Sequence, residues 1–130
     1  MKNSLFSCTI EDFEVIPKIR LPLKMKWSKA GQRYLSMKAN LAYELRRHYG
    51  FNRDKLDGLL SLSCAIHFNN NNRKRDIDNA VATLMDALQY SDPSKGIHAI
   101  IENDHQIREL SKCNIFYDGK SRLIVTLRRL

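Results

Sequence analysis

The 130-residue chain is poor in the residues that break or staple a fold. It has three prolines, five glycines, three cysteines and one tryptophan. So little proline and glycine excludes a collagen-like or low-complexity chain. Cys8, Cys64 and Cys113 are odd in number and far apart, which excludes a disulfide scaffold and gives no CxxC or zinc spacing. They read as reduced thiols, with Cys64 and Cys113 in apolar, strand-like runs that suit a core. No apolar run approaches a membrane span. Glu11, Asp12 and Glu14 interrupt any signal-peptide pattern, so an intracellular chain with no membrane partner is expected.

Acid is scarce too, at 14 Asp and Glu against 22 Lys and Arg, a net charge of +8. That balance suits a polyanionic partner. The excess lies in Met1 to Lys55, with 12 basic residues against 5 acidic ones, whereas Asp57 to Leu130 has 10 against 9. The N-terminal part reads as the electrostatic grip and the acid-rich part as the chemical site. With 43% hydrophobic residues, the chain can bury a core the size of one domain.

Leu5 to Ile10 reads as a strand. Pro17 and Pro22 leave Phe13 to Leu23 ambiguous. Ser28 is the expected N-cap of a helix running to about His48, with Tyr34, Leu35, Met37, Leu41, Ala42 and Leu45 at helical spacing and Gly50 as its stop. Lys29, Arg33, Lys38, Arg46 and Arg47 lie along it, as a solvated face or as phosphate contacts. Leu59 to Phe68 alternates as a buried strand, and Asn69 to Asn72 reads as a loop. A second helix runs from Asp76 to about Tyr90, burying Ile77, Val81, Leu84 and Leu88. Gln106 to Tyr117 and Ser121 to Leu130 read as a hairpin around Asp118-Gly119. The expected fold is α/β of the α+β type, a single domain over 1–130, with a small mixed sheet and two main helices packed on it.

The acids are clustered. Asp76 and Asp78 open the second helix directly after Arg73-Lys74-Arg75, and Asp104 follows in Glu102-Asn103-Asp104-His105-Gln106. Capping accounts for one aspartate at a helix start. It does not account for three. Carboxylates are hard oxygen donors, and in a nucleic-acid-binding chain such a set suits Mg²⁺. The basic triplet reads either as a solvated loop or as a means of drawing a phosphate backbone toward the acids.

Arg75-Asp76-Ile77-Asp78-Asn79, then Leu84-Met85-Asp86-Ala87-Leu88, then Asn103-Asp104-His105-Gln106, resembles the RusA-type Holliday junction resolvases. Ala30-Gly31-Gln32-Arg33-Tyr34 is similar to the start of that family's first helix. The resemblance implies a homodimer that binds four-way DNA junctions and makes paired nicks with Mg²⁺, Mn²⁺ being a possible substitute. It implies a role in DNA recombination and repair in a bacterial or phage-derived cytoplasmic setting. Asp76, Asp78 and Asp104 take the place of the metal-binding, catalytic acids, with Arg73, Lys74, Arg75, Lys29 and Arg33 as DNA contacts. Mg²⁺ would activate water and neutralise charge on the scissile phosphate.

Two features depart from the family. Its usual Lys, four residues after the second Asp, is Ala82 here. Lys74, Arg75, Lys95 or His105 would have to substitute, or activity is weak or lost. The family's N-terminal Pro-Pro-Ser-type segment is replaced by Ile16-Pro17-Lys18-Ile19-Arg20-Leu21-Pro22. A DNA-binding protein without catalysis and a nuclease for other branched DNA therefore stand as alternatives. Asp86 and Glu102 read as surface acids rather than ligands, and His67 as a structural histidine. Asn79 reads as an orienting group for Asp78, a phosphate contact or a local backbone partner. Trp27 and Tyr34 read as core before base-stacking residues.

Overall fold

The computed structural model describes residues 4–18, 28–69 and 76–130. Strand β1 (Ser4–Glu11) leads to helix α1 (Lys29–Tyr49), strand β2 (Leu60–Phe68), helix α2 (Ile77–Leu88), strand β3 (Ile107–Tyr117) and strand β4 (Arg122–Arg129). The expected α+β architecture is what forms: a four-stranded mixed sheet carrying two helices. The Arg73-Lys74-Arg75 triplet, most of the Asn loop and Trp27 lie outside the described residues.

Local signals set the ends of α1. The Ser28 hydroxyl accepts from the Gly31 N–H at 3.1 Å. At the other end Gly50, at φ +113°, donates its N–H to the Arg46 carbonyl at 2.8 Å. Between them Tyr34, Met37, Leu41, Ala42, Leu45 and Tyr49 form one buried stripe. In α2 the buried positions are Ala80, Val81, Thr83, Leu84, Ala87 and Leu88. Ile77, expected in that stripe, is instead 41% exposed and lines a groove between α2 and β3.

The strand order is β1-β4-β2-β3. β2 runs parallel to β3 and antiparallel to β4, which is antiparallel to β1. In register, Cys8, Val125, Cys64 and Cys113 form one row across the sheet on the face that meets the helices. The opposite face is polar and partly open, with Ser7 bonded to Thr126 and Arg128 to Ser63.

The expected C-terminal hairpin does not form, because β2 is inserted between β3 and β4. Its Leu60, Leu62, Ile66 and Phe68 are fully buried, so β2 takes a central place, while Leu110 in β3 is 55% exposed at the edge. The Asp118-Gly119 turn must then cross the end of β2. His67 of β2 holds it there, its Nδ1 lying 2.7 Å from Asp118 Oδ2 and its ring stacked on Phe116. His67 is thus structural, as read.

Candidate active site

Asp76 occupies the N-cap position of α2, yet its side chain makes no capping bond. Its Oδ2 instead accepts from Asn79 Nδ2 at 3.2 Å, while the Asn79 N–H donates to Asp78 Oδ1 at 3.0 Å. Asn79 therefore ties the two carboxylates together, with its side chain on Asp76 and its backbone N–H on Asp78. Both acids are exposed at the positive end of the helix dipole. The capping explanation fails for Asp76 on this geometry, and a pair of hard oxygen donors faces solvent.

Asp104 opens a 3-10 turn, Asp104–Gln106, that a reciprocal side-chain box closes. Asn103 Oδ1 accepts from the His105 N–H at 2.9 Å. Gln106 Oε1 accepts from the Glu102 N–H at 2.7 Å, and its Nε2 donates to the carbonyls of Leu56 and Gly58 at 2.9 and 3.1 Å. Gln106 is the fastener that ties the turn to the segment entering β2. The Asp104 N–H donates to Gln89 Oε1 at 3.2 Å, which anchors this acid at the C-terminal end of α2.

The Ile16-Pro17-Lys18 segment lies across α2. The Lys18 N–H donates to the Asn79 carbonyl at 3.0 Å, and Thr83 Oγ1 donates to the Ile16 carbonyl at 2.8 Å. The Lys18 ammonium then reaches Asp86 Oδ2 at 3.1 Å. Asp86, by hydrogen bond and charge, raises the Lys18 ammonium above its ordinary value, and Asp104 adds a smaller push in the same direction. One lysine thereby joins the start of α2 at Asn79 to Asp86. Nothing in the pattern around Pro17 and Pro22 signalled this, because the contact is made across sixty residues of chain.

Ala82 opens into a groove of about 530 Å³ between α2 and β3. Asp78, Ile77, Met85, Leu110 and Lys112 line it. Lys112 sits where the β2–β3 register slips between Leu62 and Cys64, and its backbone is left-handed at φ +57°. That conformation is strained for a lysine, and such bulges re-aim side chains. Among the described residues, Lys112 is the one cation in the lining of this groove, opposite Ala82.

The three acids do not meet within one chain. Asp78 and Gln89, where Asp104 is anchored, are separated along the α2 axis by about 16 Å at the helical rise. Among the described residues, no three His, Cys, Asp or Glu side chains are placed to hold a metal. Asp76 and Asp78 fit a hard cation as a two-acid start, and among the described residues no third carboxylate joins them. Of the expected DNA contacts, Lys29 and Arg33 are exposed on the first turn of α1. Glu102 pairs with Lys55 at 2.8 Å, which holds its carboxyl below the usual carboxylate range. Tyr34 is core.

A mixed sheet with an α2 helix opened by paired aspartates defines a small α+β domain with an acidic centre. The family profile of endodeoxyribonuclease RusA matches residues 14–128, and the chain belongs to that family. It is thus a nuclease by family, a hydrolase of phosphodiester bonds. No curated relative matches the chain significantly.

Proposed function

We propose that the chain is a Mg²⁺-dependent, structure-selective endonuclease that resolves four-way DNA junctions by paired nicks, acting in recombination and repair inside the cell. The observation that carries this reading is the uncapped Asp76 beside Asp78, held by Asn79 within a chain whose residues 14–128 match the endodeoxyribonuclease profile. Asp76, Asp78 and Asp104 are the metal-binding acids of the proposal. A bound Mg²⁺ would supply activation of water and charge neutralisation at the phosphodiester. Asn79 orients the acid pair, and Gln106 fixes the Asp104 turn. Lys112, in the same groove as Asp78 and Ala82, is the proposed source of the positive charge that Ala82 does not supply.

The distance between Asp104 and the Asp76–Asp78 pair supports a homodimer as the working unit. A second copy can bring its own Asp104 turn to the α2 N-terminus of the first. A two-fold dimer also matches the symmetry of a four-way junction, with one site for each of two strands. Lys29 and Arg33, together with Arg73, Lys74 and Arg75, would contact the DNA backbone.

The test is cleavage of a synthetic four-way junction, with linear duplex and flap controls. The second reading, a junction-binding protein with lost or weak catalysis, is favoured by Ala82 alone. Tight junction binding without nicking in Mg²⁺ or Mn²⁺ would select it. Preferential cutting of flaps would select a nuclease for other branched DNA.

A further inference from the structure

Arg46 lies in the last turn of α1, where a positive charge ordinarily complements the helix dipole. Its neighbour Arg47 does this in the usual way, exposed and paired with Glu44 at 2.7 Å. Arg46 differs. It is only 4% exposed, and its Nε and Nη1 have no hydrogen-bond partner. The dipole accounts for its charge but not for its burial with unmet donors. Guanidinium groups keep their charge at any ordinary pH, so such a group needs an acceptor.

Its surroundings add positive charge. The Tyr49 ring has Arg46 5.1 Å from its centroid and Arg53 4.1 Å from it. The Tyr49 hydroxyl donates to the Asp54 carbonyl, and Arg53 Nη2 donates to the Leu5 carbonyl at 2.8 Å. Stacking on the ring eases the charge of the two guanidiniums but satisfies none of the Arg46 N–H groups. Among the described residues, no carboxylate pairs with either guanidinium. A cavity of about 350 Å³ opens here, with Arg46, Arg53, Lys55 and His98 in its lining and Asp54 as its one acid.

We propose that this cavity binds a phosphate group, either one in a nucleic-acid backbone or free phosphate. With Lys55 already paired to Glu102, Arg46 and Arg53 still give the cavity two guanidiniums against the single Asp54, and guanidiniums suit phosphate oxygens, which favours an anion over water. Position favours the backbone as the source. Lys55 joins the cavity to Glu102, and the Leu56 N–H bonds the Ile100 carbonyl at 2.8 Å, so the cavity abuts the segment that carries Asp104. That assignment of source rests on the nuclease reading, while the phosphate chemistry does not.

Thermal unfolding in orthophosphate, against chloride at equal ionic strength, tests the chemistry without any DNA. The wild type should gain several degrees in phosphate. Arg46→Met, checked for folding by circular dichroism, should lose that gain, and the more exposed Arg53→Gln should reduce it. A wild-type midpoint that responds equally to both salts overturns the site. Binding of a labelled duplex in EDTA then tests the source. Arg53→Gln should weaken it several-fold and lower the log–log salt slope by about 0.9, the value for one phosphate. A phosphate response with unchanged duplex binding would overturn the backbone source and leave free phosphate as the ligand. Neither arm depends on cleavage.

Discussion

Lys18 and Asp86 meet at 3.1 Å across the back of α2, and the Lys18 backbone is bonded to Asn79 one end of that helix away. This fixes a cation on α2 between its acid-bearing start and Gln89, which anchors Asp104.

Because Asp86 raises the Lys18 ammonium above its ordinary value of 10.5, the pair stabilises the fold fully below that pH. Its contribution is lost as pH rises through the folded-state value. Lys18 is half exposed, so screening limits the pair to about 0.2–1 kcal/mol. Urea unfolding should show Lys18→Met less stable than wild type by this amount between pH 7 and 9, both well below 10.5. The difference should shrink only at higher pH. A gap that closes already at neutral pH would remove the ion pair from the account.

Gln106→Leu removes the acceptor for Glu102 N–H and the donor to Leu56 and Gly58. Leaving those groups unmet should cost about 1–3 kcal/mol. Amide exchange should quicken in residues 102–106 while the interior of β2 stays protected. Unchanged exchange in the turn would show that Gln106 is not its fastener.

Leu62 and Leu110 are partners in the β2–β3 register but differ in burial, at 0% and 55% exposed. Leu62→Ala should cost about 2–5 kcal/mol. Leu110→Ala should stay within about 0.5 kcal/mol. Equal losses by urea unfolding would contradict the placement of β2 inside the sheet and β3 at its edge.

Much of this arrangement is legible from sequence because it is local. Ser28 and Gly50 bound α1, and the alternation of Leu60 to Phe68 marks β2 as a strand. The Asp76-x-Asp78-Asn79 cluster is visible as a string of residues. What local pattern does not carry is the partner of each strand. Asp118-Gly119 signals a turn, but a turn does not say whether the two strands pair directly or around a third. The places of Lys18 and Lys112 are not legible for a related reason: one meets residues far along the chain and the other sits at a register slip, and neither leaves a periodic trace.

Ala82 and Lys112 face one groove, so their roles can be exchanged experimentally. Lys112→Ala should lower junction cleavage by about 10²–10³-fold, as loss of a positioned donor at a reacting centre does. Adding Ala82→Lys in the same chain should recover it. Full activity in Lys112→Ala would show that another cation serves the site.

Nicking of a synthetic four-way junction, in Mg²⁺ and in EDTA, with Asp78→Asn beside the wild type, decides whether the acid pair is catalytic. Symmetric nicks should require Mg²⁺ and disappear in Asp78→Asn, while junction binding by the mutant is retained or tightened. Nicking that survives EDTA, or an Asp78→Asn enzyme that still cuts, would contradict a catalytic role for the pair.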